Sequence, residues 1–380
     1  MDDDSFHICL CENKILEDVL DIIKNAFTVK YLTLFEWSTK KENIERLNLS
    51  SLKYGGFNPK TSKINVIIYT AKDDVGGNSP DDVQSQIKST YEQSVLLTSN
   101  KDDYDYISLL MFSIDELNKF ETCSQWAQKI KTTKRDLIAA EGWPSFEECF
   151  KSVNLTNNWV VLRNSEYLPD NFFGNDKDVD LLCENLEKFV KSINARKRHD
   201  GISSYFVIIN KVDVEFDIRY LGDDYYDKNW QISLLKNKIV SSQSVPELKD
   251  DIALYSVLYH ALIHKQQIKP KYLNLFTEYF SKPFEEEKNL EFLLSKLNNY
   301  MTLKEYKAVY PLDSLCLYSF NYNNFNFMTS RYKYKLSELR IDVVKVKMYN
   351  FLLKLNSNIL SKLTPKSIRN IILRGLTKND

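Results

Sequence analysis

Three aspartates carry the chemistry that this sequence offers. Asp178 and Asp180 stand two positions apart in the run DVDLL, and Asp217 lies in a second strand-like run, VEFDIRY. Side chains two apart on a strand point to the same face. Paired carboxylates on one strand, with a third on a neighbour, can hold a divalent cation against a phosphate. Mg2+ (or Mn2+) takes hard oxygen ligands and shares its shell with water and substrate phosphates. Asp178 and Asp180 would be the paired ligands. Asp217 would be a third ligand, or the base that takes a proton from an acceptor hydroxyl. Arg163 and Arg219 bring planar guanidinium groups suited to phosphate. A lone DxD is a weak signal. The order helix, strand, polar loop, DxD strand, helix and then an hDhR strand is a stronger one.

The elements needed to position these residues are legible around them. Pro144-Ser145-Phe146-Glu147-Glu148 reads as a capped helix start, and Trp159–Arg163 as a strand. A polar loop, Asn164–Lys177, leads to the Asp178–Leu182 strand, and Leu182 to Ile193 follows helical spacing. Tyr205–Asn210 and Val214–Tyr220 look like a hairpin. In its second arm Val214, Phe216 and Ile218 face one way, while Glu215, Asp217 and Arg219 face the other.

The first third alternates strands at Phe6–Cys11, Tyr31–Trp37 and Ile64–Thr70 with a helix at Leu16–Phe27. A loop is expected at Asp73–Asp82, followed by largely helical stretches at Val83–Leu97 and Asp103–Asn118. Lys40, Lys41 and Arg46 read as the solvated face of a charged helix. From Leu248 to Tyr300 the pattern is helical, and Phe320–Phe327 reads as a loop or edge strand. The fold class expected is α/β (α+β). Residues 1–125 form a small N-terminal α/β domain, residues 126–245 a mixed-sheet core, residues 246–342 a helical part, and residues 343–380 a basic amphipathic tail.

His260 and His264, in LYSVLYHALIHK, stand at i, i+4 on one helix face. They lack the Glu of HExxH, and Mg2+ disfavours imidazole. Two readings stay open: contact with substrate by His260, His264 and Lys265, or a partly buried structural pair. In the tail, Lys345 to Lys378 are basic without an acidic interruption. Such an amphipathic pair of helices can lie on an anionic membrane surface or dock on the core.

Composition narrows the field. The 380 residues are 43% hydrophobic, enough for a sizeable core, and carry 51 basic against 52 acidic residues, formal net charge -1. That balance gives no argument for nucleic acid. The six cysteines have no zinc or redox spacing and read as core residues of a protein in a reducing cytoplasm. No run has the length of a bilayer span, and the acidic start is unlike a signal peptide. The nine glycines form no GxGxxG, Walker A or GxSxG pattern, so phosphates would be held by metal and side chains.

The segments VLRNSEYLP, DKDVDLL, FDIR, GDDYYD and LYSVLYHALIHK resemble those of nucleotidyltransferase-fold proteins encoded in bacterial surface-polysaccharide loci. The likeness spans roughly Trp159–Pro311. More distantly the acidic core is similar to phosphocholine transferases of the LicD type and to the fukutin group of alditol-phosphate transferases. The family places Gly-Ser before the DxD; here Arg163-Asn164-Ser165 stands in that region, and Ser165 would take the place of the usual Ser. The resemblance implies a nucleotidyltransferase-like core with Mg2+ on Asp178, Asp180 and Asp217. It implies substrate or phosphate contact by Arg163, Asn164, Ser165, Arg219, His260, His264 and Lys265. The expected reaction moves a phospho-alcohol, or a nucleotidyl group, from a nucleotide-linked donor such as a CDP-alditol to a surface glycan or its lipid-linked precursor. The location expected is cytoplasmic, at the inner face of the membrane if residues 343–380 bind there. Two alternatives stand beside it: a DxD glycosyltransferase using a nucleotide sugar, and a non-catalytic nucleotide-binding or scaffold protein.

Overall fold

The computed structural model describes residues 6–71, 80–123, 126, 129–175, 178–198, 203–265, 268–281 and 289–309. Most of the loop expected at Asp73–Asp82, Cys316, the Phe320–Phe327 stretch and the tail of residues 343–380 lie outside the described residues. The architecture is α/β, with two mixed sheets flanked by helices.

The first unit runs β1 (Phe6–Glu12), α1 (Leu16–Ala26), β2 (Phe27–Glu36), α2 (Lys40–Leu47), β3 (Lys63–Ala71), α3 (Pro80–Tyr91), β4 (Val95–Leu97), α4 (Lys101–Met111), α5 (Ile114–Glu121) and β5 (Lys131–Lys134). Its strands are ordered β4-β1-β3-β2-β5, and β5 pairs parallel to β2, so this sheet extends past residue 125. Both faces are covered, which is why β1 reads as a continuous apolar run. Ile8 and Leu10 pack with Tyr106, Ile107 and Leu110 of α4. Cys9 and Cys11 pack with Val19 and Ile23 of α1 and with Ile87 of α3. These two cysteines are core residues.

The two stretches expected to be largely helical are so, each with one interruption. The segment Val83–Leu97 does not continue as a helix: Glu92 takes a positive φ of 44°, and Val95–Leu97 pairs with β1 as an edge strand. The stretch Asp103–Asn118 is two helices. Phe112 is extended (φ -133°, ψ 148°), and Ser113 starts α5 with a full capping box to Glu116.

The second unit runs α6 (Phe146–Asn154), β6 (Trp159–Val161), β7 (Asp178–Cys183), α7 (Leu186–Ser192), β8 (Arg196–Lys197), β9 (Ser204–Ile209), β10 (Val212–Tyr220), α8 (Lys228–Lys236), β11 (Ile239–Val240), β12 (Pro246–Glu247), α9 (Asp250–Tyr259), α10 (Pro270–Phe280) and α11 (Leu290–Leu303). A π turn, His260–Lys265, continues α9. Strand order is β11-β12-β6-β7-β10-β9-β8, with β7 and β10 parallel. The expected hairpin is present: Asn210 and Lys211 both have positive φ (50° and 64°) between β9 and β10, as a tight two-residue turn requires.

The two faces of this sheet differ. Val179, Leu181, Val214, Phe216 and Ile218 pack against Phe146 and Phe150 of α6 and Phe189 of α7. On the other face, Val160, Leu162 and Leu182 lie under α8 to α11, packed with Trp230, Leu258 and Phe276. Beyond that helical cover the same face carries Asp178, Asp180, Asp217 and Arg219.

The units are tied together by a residue that the sequence placed in solvent. Arg46 is only 5% exposed. It donates to the carbonyls of Ile138 (2.7 Å), Lys191 (3.0 Å) and Ser192 (3.3 Å). Two of those carbonyls end α7, so a cation from α2 caps the C-terminus of the helix that follows β7. Lys191 answers by donating to the Asn48 carbonyl, and Glu187 accepts from Ser50 N–H at 3.1 Å.

Gly142 has φ +105°. A Cβ there would stand 2.5 Å from Ile208 Cγ2 and 2.9 Å from the Ile208 carbonyl oxygen. The close approach lets Trp143 N–H donate to that carbonyl at 2.8 Å. Gly142→Ala is expected to cost roughly 3 kcal/mol, combining backbone strain and overpacking. Urea unfolding measures it, and a loss below about 1 kcal/mol would contradict this account of the turn.

Candidate active site

In the register of the parallel pair, Asp217 lies opposite Asp180 and Glu215 opposite Asp178. Strand alternation then puts Asp178, Asp180, Asp217 and Arg219 on one face, as the sequence pattern predicts. They line a cleft of about 140 Å3 with Arg163, Asn164, Tyr225, His260, Lys265, Lys269, Lys271 and Tyr272.

Arg163 follows β6 and is buried. Its Nε donates to Asp180 Oδ2 at 3.1 Å, its Nη2 to Asp180 Oδ1, and its Nη1 to the Tyr225 hydroxyl at 3.2 Å. This two-pronged contact is the strong form of a carboxylate–guanidinium pair. Arg219 pairs with Asp217 (Nε to Oδ1 3.3 Å) and lies over the Tyr225 ring, 4.2 Å from its centroid. Tyr225 is presented by the GDDYYD turn: Asp223 Oδ1 accepts from Tyr225 N–H (3.0 Å) and from Gln231 Nε2 (2.7 Å). Its hydroxyl is 2.7 Å from His260 Nδ1. The hydroxyl already accepts from Arg163, so donating its proton to Nδ1 satisfies both, and the imidazole proton then sits on Nε2.

The two inner carboxylates are driven apart. Burial pushes Asp180 up to about 6, with Asp217 and Asp178 adding repulsion against the pull of Arg163. Burial also raises Asp217, but Arg219, the neighbouring Ser203 hydroxyl, Arg163 and Lys265 together bring it below the usual carboxylate range. Opposed shifts in adjacent carboxylates are a mark of acid–base sites, and structural ion pairs produce them too.

The other sequence candidates divide. Asn164 lines the cleft and adopts a left-handed conformation (φ 58°, ψ 28°), the conformation a glycine takes easily. Ser165 begins a short 3-10 turn, and its hydroxyl donates to Glu247 Oε2 at 3.2 Å. It is not part of the cleft wall, so the structure does not bring Ser165 to the position expected of it. His260 and Lys265 line the cleft. His264 stands behind it, its ring 4.0 Å from that of Tyr225 and 5.1 Å from that of Tyr259. It packs among the rings of Tyr225, Tyr226 and Tyr259, so Tyr225 stands between it and the cleft. Lys269, Lys271, Tyr225 and Tyr272 were missed as cleft residues. Lysines flanking Pro270 at the start of α10 were the available signal.

Both histidines are held neutral. Burial lowers each well below the ordinary value of 6.5, with Arg163 adding for His260 and Arg219 for His264. Such groups take up protons only on unfolding, so stability falls as pH drops below about 6.5. Asp180 has the opposite sign: its raised value makes its contribution decline as pH rises from about 4 to about 6. His264→Leu is expected to lower the pH slope of unfolding free energy, between pH 5 and 6, by about one proton, ~1.4 kcal/mol per pH unit. Urea titrations at several pH values measure this, and an unchanged slope would show that His264 is protonated in the folded protein.

Carboxylate oxygens on adjacent strands are the right donors for Mg2+. Asp180 gives both oxygens to Arg163, and Asp217 is paired with Arg219. Among the described residues no three acidic, His or Cys side chains are already grouped as metal ligands. A cation there would be held by Asp178 together with Asp180 or Asp217, the latter sharing lone pairs with its arginine.

Compared with protein-family models, with curated proteins and with solved structures, the chain matches none. The chain is an α/β protein whose charged cleft lies at the edge of a helix-covered sheet face. No helix among the described residues is long and apolar enough to cross a membrane.

Proposed function

We propose that this chain is a Mg2+-dependent transferase of nucleotidyltransferase type. It moves a phospho-alcohol, or a nucleotidyl group, from a nucleotide-linked donor to a surface glycan or its lipid-linked precursor. The observation that carries the reading is the register pairing of Asp217 with Asp180 beside Asp178, on parallel strands at a cleft rich in cations. The order β6, turn, β7, then β10 with the third aspartate is also the order that the family resemblance implies.

The chain's own residues divide the work. Asp178 together with Asp180 or Asp217 would hold the cation, which when bound would neutralise charge on the phosphate oxygens. Where Asp217 is not a ligand, its carboxylate, ionised at neutral pH, would accept the acceptor hydroxyl's proton. Arg219 and the lysines receive the donor's phosphates, and Arg163 fixes the rotamer of Asp180. The His260 Nε2–H is a neutral donor to substrate.

A glycosyltransferase reading leaves Asp217 without a role. The bidentate Arg163–Asp180 pair favours the second reading, a non-catalytic nucleotide-binding protein. Thermal-shift measurements with CTP, CDP-alditols and nucleotide sugars, each with Mg2+, followed by a product assay, separate these. CDP-alditol stabilisation with product supports the transferase. Nucleotide stabilisation without product favours the binding protein, and a response confined to nucleotide sugars favours glycosyl transfer.

A further inference from the structure

We propose that Lys265, Lys269 and Lys271 form a polyphosphate-binding wall that holds a donor's phosphate chain without help from a divalent cation. The identity of the donor rests on the function proposed above; the phosphate chemistry does not.

The charge distribution argues for it. Five cationic side chains and three carboxylates line the cleft. The two arginines are each committed to an aspartate, through Arg163–Asp180 and Arg219–Asp217. No hydrogen bond or ion pair reaches the ammonium group of Lys265 or Lys269 among the described residues. Lys271 donates to Asn164 Oδ1 at 2.7 Å, tying the start of α10 to the turn between β6 and β7. Three ammonium groups therefore line one small cavity without a direct ion pair, although Lys265 acts on Asp217 from a distance, and the cleft's five cations outnumber its three carboxylates. Mutual repulsion is relieved when an anion with several charges enters.

Local structure fixes this convergence. Lys265 ends the π turn, and Lys269 and Lys271 flank Pro270, the first residue of α10. Proline is pre-set for that position and supplies no N–H, so the lysines carry the attraction. The cavity, about 140 Å3, is below the roughly 300–1,000 Å3 of pockets that enclose drug-sized ligands. It seats phosphate groups, and the base and sugar of a nucleotide would lie outside it. The competing account is three solvated surface lysines that meet by chance.

Isothermal titration of the full chain with inorganic tripolyphosphate in EDTA tests the proposal. The expected result is saturable binding that weakens steeply with added salt. The triple variant Lys265→Ala, Lys269→Ala, Lys271→Ala is expected to lose at least about ten-fold in affinity, the equivalent of about 1.4 kcal/mol. The corresponding triple Lys→Arg variant should retain binding, and Lys41→Ala, an exposed lysine on α2, should leave it unchanged. All these positions are solvent-exposed, and circular dichroism verifies that the variants fold. Wild-type affinity in the triple alanine variant would overturn the proposal. Binding seen only with Mg2+ would overturn it too, while leaving the proposed function standing. No binding with or without Mg2+ would count against both.

Discussion

Asp217→Asn is expected to reduce transfer about 10^3-fold, near the effect of losing a general base or a metal ligand. The substitution keeps the shape of the side chain and removes only its charge. Asp217 is the inner carboxylate that its surroundings hold ionised, with Arg219, Ser203, Arg163 and Lys265 outweighing the burial that opposes them. Asparagine can neither accept a proton nor supply a hard anionic ligand. If Asp217 acts as the base, the loss appears in kcat with little change in KM, and the acidic limb of the pH profile disappears. If it acts as a ligand, raising Mg2+ restores part of the activity. The fold should survive, because Arg219 keeps its place over the Tyr225 ring. Activity at the wild-type level in a folded Asp217→Asn protein would remove the transferase reading.

Arg163→Met is expected to cost about 3–5 kcal/mol of stability, because it strands a buried carboxylate. Asp180 is 7% exposed, and Arg163 is the residue that contacts both of its oxygens. The arginine also donates to Tyr225, so its loss removes one of the hydrogen bonds of the hydroxyl that meets His260. The cost should shrink on acidification, since Asp180 can escape by binding a proton; its value already stands near 6 with Arg163 present. Combining Arg163→Met with Asp180→Asn should recover much of the loss, because no charge is then left buried. Equal losses at pH 5 and pH 8 would show that packing, and not the charge, accounts for Arg163.

Much of the acidic cluster was legible because alternation on a strand is unambiguous. DVDLL and VEFDIRY each put apolar residues on one face and chemistry on the other, and a parallel register then brings Asp180 beside Asp217. The hairpin was legible because a short polar break separates two such runs, although its turn falls at Asn210-Lys211, earlier than the strand bounds read from the sequence. Other features depend on distant partners. Arg46 looks like any charge on a polar helix, and its burial is decided by carbonyls more than 90 residues away. His264 escapes a spacing argument because its place behind Tyr225 is decided by tyrosines brought in from elsewhere in the chain. The strand Val95–Leu97 is too short to announce itself against a preceding helix, and only its pairing with β1 defines it. Lys269 and Lys271 carry no pattern beyond their proline, and their importance comes from what α10 is packed beside.

The Arg46 contact bears on how the first third should be regarded. A helix end is ordinarily finished by its own following residues; α7 has those bonds, and its Lys191 and Ser192 carbonyls are finished as well by Arg46, a side chain from a helix of the other unit. The aspartate strand β7 leads directly into that helix, so the part of the chain bearing the cleft is left with an open seam when residues 6–134 are removed. The N-terminal unit is thus a folding partner in the same sense as an obligate subunit, with a peptide linkage in place of an association constant.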